Sequence, residues 1–115
     1  MSRHDDLVRL RHMLDHAQEA VNLTKGKMRE DLDGNRLLEL SLIRLMEIIG
    51  EGANRVSPDF QSRYSHIPWP QIISMRHRLI HGYDSVDLDI LWTILTKDLP
   101  PLISDIESII SAKDT

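Results

Sequence analysis

The side chains best suited to move protons or grip an anion stand close together near position 80. The run from Ile72 to Tyr83 reads I-I-S-M-R-H-R-L-I-H-G-Y. It holds two arginines (Arg76, Arg78), two histidines (His77, His81) and one tyrosine (Tyr83). Histidine titrates near neutral pH and serves as general acid or base. Arginine presents a fixed fork of donors that matches a phosphate. The charge around these residues is one-sided. From Phe60 to Tyr83 there is no Asp or Glu, while the same stretch adds Arg63 and His66. An acid-free basic island in a chain of formal charge −4 points to a discrete anion site, or to a helix that pairs with acidic helices elsewhere.

The elements that carry this run read as helices. Ile72, Ile73, Met75, Leu79 and Ile80 recur at helical spacing and cover one arc of a wheel. The spacing predicts a third helix opened by Pro68 or Pro70 and reaching towards Tyr83, with Arg76 near the middle of its apolar arc. An arginine there must meet a carboxylate or face a cavity that receives an anion, since a buried unpaired charge is costly. Before it, Leu7, Leu10, Leu14, Ala17 and Val21 stripe a first helix from about Asp5 to Thr24. On that helix His12 and His16 are four residues apart. That spacing can in principle bind a metal, but they read as surface histidines.

A second helix begins between Asp31 and Asn35 and runs to about Val56, with Leu38, Leu42, Leu45, Ile49, Ala53 and Val56 at heptad-like spacing. Leu37, Leu40, Ile43 and Met46 make it apolar around much of its girth, which predicts a dimer interface in addition to a core face. Gly50 and Gly52 predict close helix approach or a bend. Glu47 and Glu51 read as a solvated ladder with Arg44 and Arg55, the alternative being Glu51 as the partner of Arg76. After Tyr83, Ser85 or Asp87 caps a fourth helix with Leu88, Leu91, Leu95 and Leu99, interrupted at Pro100-Pro101 and resuming with Leu102, Ile106 and Ile109. No stretch reads as a strand. The fold expected is all-α, an antiparallel helical bundle of four main helices with the last one broken at Pro100-Pro101, in a single domain over 1–115.

Composition narrows the function classes. With no cysteine among 115 residues, disulfides and thiolate metal sites are excluded, and a reducing cytoplasm is the expected compartment. No apolar run reaches membrane length and the N-terminal residues lack a signal-peptide core. The net negative charge does not suit a general nucleic-acid binder.

Arg76, His81 and Tyr83 also complete a pattern, Arg-x4-His-x-Tyr, that resembles the HepT-like toxin branch of the HEPN superfamily. The flanking blocks are similar too: I-I-G-E-G-A-N-R-V-S at Ile48–Ser57, I-P-W-P-Q-I-I-S-M-R at Ile67–Arg76 and D-L-D-I-L-W at Asp87–Trp92. His77 stands where such sequences often have Asn. The resemblance implies a metal-independent endoribonuclease without cofactor, the toxin of a type II/VII-like toxin–antitoxin pair. It implies a homodimer whose cleft takes RNA rather than DNA, and an MntA-like nucleotidyltransferase antitoxin that transfers AMP to Tyr83. It assigns catalysis to Arg76 and His81, with His77, Tyr83, Arg78 and Glu51 as supporting or substrate-binding candidates. On one ideal helix Arg76 and His81 would point roughly 140° apart, so a distorted helix, a bent arginine or a site shared between subunits is required. Two other classes remain: a non-catalytic HEPN module that binds nucleotide or RNA, and a helical dimer that acts only by interaction.

Overall fold

The computed structural model describes residues 3–82 and 85–114. Four helical runs form the bundle. The first is α1 (Arg3–Leu23), followed by a turn in which Gly26 takes a positive φ and by a short 3₁₀ turn at Arg29–Leu32. The second is α2 (Arg36–Asn54), begun by Asn35, whose side chain accepts from Leu38 N–H at 3.2 Å. A short helix α3 (Pro58–Arg63) turns the corner. Its N-cap Ser57 accepts from Phe60 N–H and donates through Oγ to Asp6 at 2.7 Å. Asp6 also accepts from Ser57 N–H at 2.8 Å and is buried, so it ties the start of α1 to this corner.

The third run differs from the single helix expected. It is two short helices, α4 (Trp69–Ile73) and α5 (Met75–Leu79), broken at Ser74 and finished at Leu79. Ser74 leaves helical geometry (φ −94°, ψ 11°), and its hydroxyl donates to Pro70 O at 2.8 Å. Such hydroxyl-to-backbone bonds compete with the helical ladder. The chain then turns extended. Ile80–His81 (β1) pairs antiparallel with Ser85–Val86 (β2), a two-residue ladder that the apolar pattern of the run gave no sign of. Gly82 leads out of β1 at φ 68°, a conformation glycine adopts without steric cost. Asp87 N–H donates to Leu79 O at 2.8 Å and closes the excursion.

The fourth run is α6 (Leu88–Thr93), a π-helical segment at Ile94–Asp98 and α7 (Leu99–Asp114). Asp87 is the cap, accepting from Ile90 N–H at 3.0 Å. The irregularity therefore falls just ahead of Pro100-Pro101 rather than at them. Both prolines sit in the first turn of α7, where a missing N–H is tolerated. The wider spacing, seen in Leu99 N–H bonding Ile94 O five residues back, accommodates the change.

One core joins the four runs: Leu10, Met13 and Ala17 of α1; Leu42, Met46 and Ile49 of α2; Ile72, Met75 and Leu79 of α4–α5; Leu91, Leu95, Leu102 and Ile106 of the last run. Both close-spaced glycines mark tight approaches. A Cβ on Gly52 would lie 2.9 Å from Met13 Cγ, and one on Gly50 would lie 3.1 Å from Ile72 O and 3.2 Å from Ile73 O. Among the described residues, no helix is long and apolar enough to cross a membrane.

Candidate functional site: a cationic groove across three helices

Packed between α1 and α4–α5, α2 forms the floor of an open groove of about 570 Å³. Arg9, His12 and His16 line it from α1. Arg44, Glu47, Gly50, Glu51 and Arg55 line it from α2, and Ile73, Arg76 and His77 from the far side. Four arginines face two glutamates here, a local excess of positive charge in an acidic chain. The close seat of Ile72 and Ile73 on Gly50 brings the α4–α5 break down onto α2, and this delivers Arg76 and His77 to the groove.

Arg76 is not sunk in an apolar face. Its side chain is 53% exposed, and its Nε lies 3.2 Å from Glu47 Oε2. The wheel that buried it counted Ile73 and Ile80 in the core, but both are only half-buried, so the buried arc is narrower and Arg76 falls outside it. Ile72, Met75 and Leu79 stay in the core while Arg76 and His77 come out to solvent. Both alternatives for the guanidinium thus hold at once: it touches a carboxylate and lines a groove. An ion pair this exposed contributes about 0–1 kcal/mol to stability, which leaves Arg76 cheap to recruit by an incoming phosphate.

Glu51 also lines the groove, but its partner is Arg55, at 3.0 Å, and not Arg76. Arg78 is not brought to the groove. It turns to the opposite side of α5 and pairs with Asp98 of the π segment at 3.0 Å, beside a second hollow lined by Met75, Lys97 and Leu102. The backbone of His81 lies in β1, five residues after Arg76 but off the helix, so the 140° separation on a common wheel does not apply. The side chain of His81 and the whole of Tyr83 lie outside the described residues.

His12 and His16 were the residues most easily passed over. Their spacing gave only a surface pair or a metal pair, yet α1 places both in the groove that holds Arg76 and His77. His16 Nδ1 lies 2.6 Å from His12 O. A carbonyl only accepts, so Nδ1 carries the hydrogen and Nε2 is the ring nitrogen left for chemistry. No sequence signal other than the packing of α1 on α2 would have joined residues 12 and 76.

The fold and site together define an all-α bundle with four arginines and three histidines lining one groove beside the Arg-x4-His motif. The family comparison is more specific. The profile of the "Ribonuclease HepT-like" family matches residues 13–109, and the chain belongs to that family. Among its relatives is the "Putative RNase" of Methanocaldococcus jannaschii, 30% identical over 93% of this chain and 98% of the relative. A "Gamma-glutamylcyclotransferase and putative RNase" of the same organism is 35% identical over 97% of this chain. This chain spans only half of that longer protein. The "Probable ribonuclease HepT" of Thermococcus cleftensis is 34% identical over 77% of this chain and 84% of its own length. No solved structure matches the chain.

Proposed function

We propose that this protein is a metal-independent endoribonuclease, the toxin of a toxin–antitoxin pair, acting as a homodimer in the cytoplasm. The observation that carries the reading is the groove. It sets the motif arginine and the adjacent His77 in one cationic, open channel, in a chain of a ribonuclease family.

Cleavage of RNA needs no outside nucleophile. A base takes the proton of a ribose 2′-hydroxyl, whose oxygen attacks the neighbouring phosphorus. The bond to the 5′-oxygen breaks, and an acid returns a proton to that leaving oxygen. The products are a 2′,3′-cyclic phosphate and a 5′-hydroxyl end. In this reading Arg76 leaves Glu47 for the phosphate and steadies the charge on the pentacoordinate phosphorus. His81 transfers a proton at one of the two oxygens. His77, exposed beside Arg76, orients the phosphate or supplies the second transfer.

One face of α2 supports the dimer. Leu37 and Leu40 are 78% and 48% exposed. With Arg44, Glu47 and Glu51 they fall at helical spacings of three, seven, ten and fourteen residues, which is a single stripe. Covering Leu37 contributes roughly 1.5–2 kcal/mol, and the half-covered Leu40 about 1 kcal/mol. A second copy seated there brings its own groove alongside the first. The antitoxin of the proposed pair is a nucleotidyltransferase that adds AMP to Tyr83, filling the channel with bulk and negative charge.

Induced expression in a bacterial host tests the enzyme. Toxicity and RNA cleavage in the presence of a chelator are expected of the wild-type chain and absent from Arg76→Ala and His81→Ala dimers. Toxicity that survives His81→Ala rejects His81 as catalyst. Nucleotide binding without any cleavage replaces the enzyme by a binding module. Leu37→Glu with Leu40→Glu is expected to give monomers in sedimentation and no cleavage. Co-expression with a nucleotidyltransferase of the MntA kind is expected to add AMP mass to the wild-type chain and none to Tyr83→Phe.

A further inference from the structure

Of the four arginines that line the groove, two are committed: Arg55 to Glu51 and Arg76 to Glu47. The other two are not. Arg44 is exposed and makes no ion pair among the described residues. Arg9 is the less ordinary case. Its Nε is buried and has no hydrogen-bond partner. Buried donors are nearly always satisfied, and leaving one unmet is costly. Arg9 also lines the adjoining hollow formed with Asn54, Ser57 and Pro58, so it stands where the groove opens beyond the reach of α5.

We infer that Arg9 and His16 of α1 and Arg44 of α2 grip further phosphates of a single RNA strand, separate from the one held by Arg76. The inference rests on the ribonuclease reading and adds to it the extent of the substrate. The geometry fits a strand better than a lone anion. Arg9 and His16 are seven residues apart on α1, a rise of about 10 Å, and Arg44 and Arg55 are eleven apart on α2, about 16 Å. These are lengths along which a strand presents several charges. Arg9 lines one end with an Nε that has no partner, and Nε2 of His16 remains available because Nδ1 is held by His12 O. The free partners on this wall are cationic or neutral donors, which suits phosphate oxygens.

The test uses the His81→Ala chain, so that bound RNA stays intact, and a labelled twelve-nucleotide single strand followed by fluorescence anisotropy across a salt series. Each lost phosphate contact lowers the slope of log affinity against log salt by about 0.7 for single strands. Arg9→Gln and Arg44→Gln are each expected to reduce it by about that amount, and Arg9→Lys to restore most of it. Should Arg9→Gln fail to fold, as judged by circular dichroism, Arg44→Gln on the surface carries the measurement with the same expected loss. Slopes equal to the parent's in folded Arg9→Gln and Arg44→Gln overturn the inference and leave the ribonuclease reading intact. AMP that binds as tightly as the oligonucleotide, and weakens as much on Arg9→Gln, overturns it in favour of a free-nucleotide site. A His81→Ala parent that does not bind RNA, together with a wild-type chain that does not cleave it, overturns the ribonuclease reading and this inference together.

Discussion

Replacing Gly50 by Ala sets two opposed effects of known size against each other. Alanine is a better helix former than glycine by about 1 kcal/mol, so an α2 that stood free would gain that much. The new Cβ, however, would lie 3.1 Å from Ile72 O and 3.2 Å from Ile73 O. These are backbone atoms at the end of α4, which cannot swing aside as a side chain does. Either α4 lifts from α2 or the core strains, and overpacking of this kind costs about 1–3 kcal/mol. The net is a loss of about 1 kcal/mol, which for a chain of this size lowers Tm by about 4 °C. Thermal unfolding followed by circular dichroism reads it directly. The same displacement moves Arg76 and His77, so RNA cleavage is expected to fall by more than the stability change explains. A Gly50→Ala chain with Tm raised by about 4 °C and cleavage intact would refute the reasoning. It would mean that the α2–α4 contact yields freely and does not hold the groove.

Two further substitutions probe the frame. Asp6→Ala removes the acceptor of both Ser57 N–H and Ser57 Oγ from a buried position. Loss of about 2 kcal/mol in urea unfolding is expected, and a loss below about 0.5 kcal/mol would show that the corner holds without it. Gly82→Ala meets no atom within 4 Å, so its only penalty is a side chain at φ 68°. That penalty is about 1 kcal/mol, expected in cleavage and local exchange at Ile80 and Val86 more than in Tm, and unchanged exchange there would contradict it.

Much of the bundle was legible from spacing alone. The stripes on α2 and α7 name residues that are buried, and Asp87, one of the two caps expected for the fourth helix, accepts from Ile90 N–H. Gly50 and Gly52 announced close approach, and each has one. The site was harder to read. A wheel drawn through Ile72–Tyr83 assumes one helix, and nothing in Ser74 alone declares a break, because Pro70 O accepts its hydroxyl as well as its N–H only in the folded turn. With the helix end at Leu79 also unseen, the 140° problem arose. Pairing was likewise beyond reach: Glu47 and Glu51 are equivalent as ladder members, and only the register of α5 on α2 chooses Glu47 for Arg76. The α1 side of the groove is contributed by residues sixty or more positions from Arg76, which no local pattern connects.

The two-residue ladder at Ile80–Val86 has a bearing on how such a protein loses its activity. Arg76 and His77 are exposed, and His81 belongs to an excursion outside the helical runs. Replacing any of them removes no buried apolar side chain. A chain disarmed at these positions should therefore accumulate at normal abundance and keep its surface, so that losing the activity costs a cell one codon and no misfolded protein.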